Sequence, residues 1–100
     1  MALSVIWSQE SLDDIEAIAT FINRDSPFYA RAVSQKIIAN AEAIGEFPEI
    51  GRIVPELNQH NIRERFVYSY RIIYAVQPTQ IEILAVMHGK RLLNISQFAQ

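Results

Sequence analysis

Arginine side chains alternate with apolar residues between positions 61 and 91, where the chain reads NIRERFVYSYRIIYAVQPTQIEILAVMHGKR. A guanidinium group keeps its charge and presents five fixed donors, so it binds phosphates and carboxylates well. A sheet that only fills a core would not need several of them. The segment therefore predicts a surface that holds an anionic group, and it ends in a His-Gly-Lys-Arg sequence that adds an imidazole and two cations.

The composition fits a single small domain that spans residues 1–100, because half of the 100 residues are hydrophobic and so short a chain rarely divides into two cores. The absence of cysteine excludes disulfides and thiolate metal sites. The first ten residues lack the features of a signal peptide, and no apolar run approaches the roughly 18 residues of a membrane span. We expect a soluble cytoplasmic protein that does not contact a membrane.

The two halves of the chain carry opposite net charges. Residues 1–50 hold three bases and eight acids, a balance of −5, whereas residues 51–100 hold six bases and three acids, a balance of +3. A small domain that is polarised in this way indicates an acidic partner for its basic half.

Two helices are predicted in the acidic half, after a short apolar strand from Ala2 to Trp7. Ser8 is a good N-cap for the first helix, in which apolar residues recur at intervals of three and four as far as Ile22. Ser26 and Pro27 begin a second helix that is predicted to end at Ile44, with Gly45 as its C-cap. The connection is so short that the helices must fold back as a hairpin.

Three strands are predicted in the basic half, at Ile62–Val67, Tyr70–Val76 and Ile81–Met87, and residues 45–60 are predicted to form a structured loop. The joins between the strands are short enough for hairpins. The order β-α-α-β-β-β predicts an α+β fold in which the helical hairpin packs on one face of a small antiparallel sheet.

The alternation of side chains places Arg63 and Arg65 on the same face of their strand. The face of Arg71 depends on the hairpin: a loop of two residues puts it on the opposite face, and a loop of three puts it on theirs. The sequence leaves both registers open.

A family resemblance extends through nearly the whole chain. It starts at the strand that ends in Trp7 and the SPxxA motif at Ser26, and continues through FPxxGRxVPE from Phe47. It then includes YRIIYAV at Tyr70–Val76 and ILxVxHGKR at Ile83–Arg91. In order and spacing these motifs resemble the ParE branch of the RelE/ParE superfamily, the toxins of type II toxin–antitoxin pairs.

The resemblance implies a compact toxin that a cognate antitoxin neutralises, with a toxin dimer possible inside a larger toxin–antitoxin oligomer. For the ParE branch the implied target is DNA gyrase, and for the RelE branch it is messenger RNA cleaved on the ribosome. The first is a binding inhibitor and the second is a metal-independent endoribonuclease.

The residues of the chain favour the inhibitor. Arg71 and Arg91 match arginines that act at the scissile phosphate in RelE-like nucleases, and His88 could supply an acid or a base. However, Ile62 and Glu64 stand where those nucleases have lysines, and Gln97 replaces their C-terminal tyrosine. A carboxylate in place of a lysine would repel the phosphate.

We therefore expect no catalytic centre and no cofactor, and two histidines far apart in the sequence make a metal site improbable. Arg71 could equally pair with Glu64 or Glu56 and serve only the fold. The residues predicted to bind the target or the antitoxin are Arg52, Arg63, Arg65, Arg71, Tyr74, His88, Lys90 and Arg91.

Overall fold

The protein is described by a computed structural model that covers residues 2–91 and residue 93. Its elements follow the order β1 (Ser4–Trp7), α1 (Gln9–Asn23), α2 (Pro27–Ile44), β2 (Arg52–Ile53), β3 (Ile62–Val67), β4 (Tyr70–Val76) and β5 (Gln80–His88). This order confirms the predicted α+β fold, and it adds the short strand β2 inside the segment that was expected to be a loop.

Both helices begin at the predicted serine caps. The Ser8 hydroxyl accepts the Ser11 N–H at 3.1 Å, and the Ser26 hydroxyl accepts the Tyr29 N–H at 3.1 Å, so each satisfies a donor that the helix leaves free. Helix α2 ends at Gly45, where a Cβ would lie 2.5 Å from the Leu3 carbonyl oxygen. Among the described residues no helix is long and apolar enough to cross a membrane.

The five strands form one sheet in the order β1-β5-β4-β3-β2. The β3–β4 and β4–β5 pairs are antiparallel as predicted, and β2 also pairs antiparallel with β3. However, β1 lies parallel to β5, so the sheet is mixed rather than wholly antiparallel. The helical hairpin separates β1 from the other strands along the chain and lets it add to the far edge in the direction of β5. Pairing between the two ends of the sequence leaves no local signal in the residues.

Each face of the sheet carries its own apolar cluster. Helix α2 packs Ile37, Ala41 and Ile44 against one face, which we call the helix face. On the other face Val54 and Leu93 pack with strand residues that include Ile73. Because the residues of a strand alternate between the faces, β3 and β4 supply side chains to both clusters.

The hydroxyl of Tyr74 fixes the loop between α2 and β2 to the helix face. It donates to the Pro48 carbonyl at 2.9 Å and accepts the Gly51 N–H at 2.9 Å, and Tyr74 itself is fully buried. Burial raises the pKa of Tyr74 above its ordinary value, so the group stays protonated and able to donate.

Replacing Tyr74 by phenylalanine tests this attachment. Tyr74→Phe keeps the ring but leaves the Pro48 carbonyl and the buried Gly51 N–H without their partner, which costs about 1–3 kcal/mol of unfolding free energy. Urea denaturation should detect the loss, while the exposed hydroxyl removed by Tyr68→Phe should cost far less. Equal unfolding free energies for the wild type and Tyr74→Phe would show that the hydroxyl does not hold the loop.

Candidate functional site

Arg71 occupies the centre of the face opposite the helices and is only 3% exposed. The turn between β3 and β4 has two residues, Tyr68 and Ser69, so Arg71 lies opposite Phe66 and beside Met87. Of the two registers that the sequence allowed, the structure therefore has the one that separates Arg71 from Arg63 and Arg65.

Two carboxylates and a carbonyl surround the guanidinium group. Its Nη1 donates to Glu64 Oε1 at 2.7 Å, and its Nη2 donates to Glu56 Oε2 at 2.8 Å and to the main-chain oxygen of Arg91 at 2.7 Å. The Nε atom is buried and has no partner among the described residues. Arg71 thereby connects its own strand β4 to β3, to the segment before β3 and to the turn after β5.

Glu64 connects this group to a second arginine. Its other oxygen accepts from Arg52 Nε at 2.5 Å, and the Arg52 guanidinium extends to the surface over the ring of Phe66, 5.6 Å from its centroid. Two cations thus face two carboxylates, and the formal charge of the cluster is zero. A buried charge is tolerated when it is paired in this way, and here the buried Arg71 is balanced by Glu64 and Glu56.

The hydrogen bond from Arg71 lowers the pKa of Glu56 to about 2. The same bond is the largest contribution that raises the pKa of Arg71. Both shifts favour the charged forms, so the pair is ionised at neutral pH.

His88 lies on the other face of the sheet. It pairs with Tyr70 across β4 and β5, and the two rings meet edge to face with centroids 5.9 Å apart. Since Tyr70 and Arg71 are neighbours in one strand, His88 and Arg71 point to opposite faces. The exposed His88 ring accepts the Lys90 N–H on Nδ1 at 3.2 Å, which orders the turn after β5.

Arg91 lines a groove of about 300 Å³ with Asp14, His88 and Phe21. The Asp14 carboxylate accepts the Val86 N–H at 2.9 Å, which satisfies an edge donor of β5 beyond the end of β1. Burial raises the pKa of Asp14. This contact was not predicted, because α1 and β5 lie at opposite ends of the chain.

Three other predicted residues hold the helix face together. Arg63 Nη1 donates to the Gly51 carbonyl at 2.9 Å, and Arg65 Nη1 donates to the Asn40 carbonyl at the end of α2 at 3.2 Å. Tyr74 is inside the core and offers no ring face to a partner. The eight predicted residues therefore do not form one surface, and the exposed cations among them are Arg52, Lys90 and Arg91.

The three residues considered for RNA cleavage are not brought together. Arg71 is buried among carboxylates on one face, whereas His88 and the Arg91 side chain lie towards α1. Ile62 and Glu64, which replace the lysines of nucleases, are buried, and Gln97 lies outside the described residues. His88 and Arg91 share the groove beside α1, and Arg71 is not among the residues that line it.

The fold and the motifs agree with known toxins. A chain in the chromosomal ParDE TA system from P. aeruginosa superposes with a TM-score of 0.72 at 18% identity, over 87% of this chain and 96% of that one. A mutant of E. coli toxin RelE in the free state superposes with a TM-score of 0.66 at 14% identity, over 90% of this chain and 86% of that one. At these identities the likeness concerns the fold, which is that of the RelE/ParE toxins.

Sequence comparison defines the family. The toxin RelE2 of Caulobacter vibrioides is 30% identical over 89 residues, which cover 88% of this chain and 97% of that protein. Residues 5–93 match the family described as ParE toxin of type II toxin-antitoxin system, parDE. The chain belongs to this family, and the resemblance found in its motifs is confirmed.

Removing the guanidinium tests the role of the ionic cluster. Arg71→Met keeps the aliphatic packing but leaves the buried Glu64 with one arginine instead of two, and we expect unfolding to become easier by about 3–5 kcal/mol. The double variant Arg71→Met/Glu64→Gln removes the uncompensated charge and should recover part of the loss. A loss below about 1 kcal/mol in urea denaturation would contradict a buried ionic anchor.

The pH dependence of stability tests the Glu56 pair. A carboxylate whose folded pKa lies near 2, below its ordinary value of 4.5, adds stability that is present above pH 4.5 and disappears as the pH falls towards 2. Glu56→Gln should therefore lower the urea midpoint at neutral pH and flatten its fall over this range. Parallel profiles for the variant and the wild type would exclude the pair as a source of stability.

Proposed function

We propose that this protein inhibits DNA gyrase by binding to it and that a cognate antitoxin holds it inactive. The observation that carries the proposal is the state of Arg71. Its guanidinium is buried and bound by Glu64 and Glu56, so the one central cation that a metal-free ribonuclease would use at the phosphate is already neutralised.

The geometry around Arg71 gives further support. His88 is the side chain best suited to proton transfer in the segment, but it projects from the opposite face of the sheet. General acid–base catalysis requires the acid or base within hydrogen-bond reach of the reacting group. A substrate phosphate held by Arg71 would have the sheet between itself and the imidazole.

The antitoxin is the partner that best fits the exposed cations. The Arg52 guanidinium lies over the Phe66 ring, and Lys90 lines a shallow pocket with Phe66 and Tyr68 at the same end of the sheet. An acidic amphipathic segment that folds as it binds would match this mixture of charge and apolar surface. The P. aeruginosa relative belongs to a toxin–antitoxin system, which agrees with such a partner.

A supercoiling assay with purified gyrase tests the target. We expect the wild type to inhibit supercoiling by binding alone, without cleavage of RNA, and we expect added antitoxin to restore supercoiling. Primer extension on translated messages after induction is the matched control. Normal supercoiling at excess toxin, together with cuts inside codons that His88→Ala abolishes, would replace this proposal by a ribosome-dependent endoribonuclease.

A further inference from the structure

The loop from Glu46 to Gly51, which we call the EFPEIG loop, exposes two large apolar side chains. Phe47 is 62% exposed and Ile50 is 48% exposed. Single exposed apolar residues are common on protein surfaces. Two of them on one short loop indicate a binding site only if the loop is held in this conformation.

Several independent contacts hold the EFPEIG loop. Tyr74 binds it at Pro48 and at Gly51, and Arg63 donates to the Gly51 carbonyl at 2.9 Å. Within the loop, the Ile50 N–H donates to the Phe47 carbonyl at 3.0 Å. A Cβ at Gly51 would lie 2.6 Å from the Tyr74 hydroxyl, so only glycine permits this approach. The exposed pair is therefore presented on a fixed backbone.

Fixed apolar side chains are favourable for binding a protein. An ordered loop loses little conformational entropy when it docks, and a few buried apolar or aromatic anchors carry most of the energy of a typical interface. The loop has the form of such an anchor: two side chains held three residues apart on one short turn.

The charges around the loop indicate the chemistry of the partner. The exposed charges within the loop are the carboxylates of Glu46 and Glu49. Of the arginines beside it, Arg52 is exposed but bonds Glu64, and Arg63 and Arg65 are half-buried and donate to main-chain carbonyls. Exposed carboxylates repel a nucleic-acid backbone and an acidic antitoxin segment. They suit a protein surface in which lysine or arginine surrounds an apolar pocket.

We propose that the EFPEIG loop docks Phe47 and Ile50 into an apolar, basic-rimmed pocket of the toxin's target protein. This inference rests on the proposed function in that it takes the target to be a protein that the toxin inhibits by binding. It separates the target-binding residues from the exposed Lys90 and Arg91 after β5, which are left to the antitoxin.

The test uses the full chain with three loop variants and two matched controls. Phe47→Ala, Ile50→Ala and Glu49→Lys change the loop, while Phe28→Ala and Ile38→Ala remove helix residues that are 72% and 43% exposed. The readouts are growth arrest on expression at equal protein level, inhibition of gyrase supercoiling, binding to the antitoxin encoded beside the toxin gene, and melting temperature.

We expect Phe47→Ala and Ile50→Ala to relieve growth arrest and to raise the toxin concentration needed for gyrase inhibition by at least about tenfold. Glu49→Lys should weaken inhibition in the same direction, and the helix controls should retain it. The affinity for the antitoxin should stay within about twofold of the wild type, because a residue that the antitoxin does not contact contributes little to that binding energy.

Undiminished growth arrest by the loop variants would overturn the inference, as would loop and helix variants that weaken inhibition equally. A tenfold loss of antitoxin binding by the loop variants would assign the loop to the antitoxin instead. If wild-type toxin leaves gyrase active, the proposed function fails, but relief of growth arrest by the loop variants alone would still support a docking loop for another target. Glu49→Lys changes only an exposed side chain and should leave the melting temperature unchanged. It therefore still tests the loop if an alanine variant lowers the melting temperature.

Discussion

The buried guanidinium of Arg71 is the constraint on which the face opposite the helices depends. A charge that is removed from water must be paired and hydrogen-bonded, and Arg71 recruits Glu64 from the neighbouring strand, Glu56 from the segment before it and the main-chain oxygen of Arg91. These partners come from three separate stretches of the chain. The loss of this cation would remove the ion pair to Glu56 and leave the buried Glu64 with Arg52 alone.

The same constraint limits what the site can do chemically. Glu64 stands where RelE-like nucleases carry a lysine, and in this chain it holds both Arg71 and Arg52. The substitution does more than remove one cation, because the carboxylate also neutralises the arginine that remains. In the sequence, Arg71 and Glu64 resemble a nuclease site that lacks one lysine. In the structure, they form a neutral ion cluster with Arg52 and Glu56.

The sequence predicted those features that depend on neighbouring residues. The caps at Ser8, Ser26 and Gly45 gave the helices, and α2 has the predicted bounds. The parallel pairing of β1, the two-residue strand β2 and the contact of Asp14 with Val86 depend on residues far apart in the chain. The sequence left open whether Arg71 pairs with Glu64 or Glu56 or contacts a partner, and in the structure it pairs with both carboxylates. The two-residue turn at Tyr68 and Ser69 places Arg71 on the same face of the sheet as Glu64.

The arginines of β3 and β4 have a common structural explanation. On the helix face Arg63 and Arg65 donate to carbonyls of Gly51 and Asn40, and on the opposite face Arg71 binds two carboxylates and a carbonyl. A sheet with a covering layer on one face and a chain segment across the other must satisfy polar groups on both faces, and a long side chain with several donors reaches them from the strands. The arginines that alternate with apolar residues in β3 and β4 therefore make two sets of internal hydrogen bonds, one on each face of the sheet, and do not share one surface.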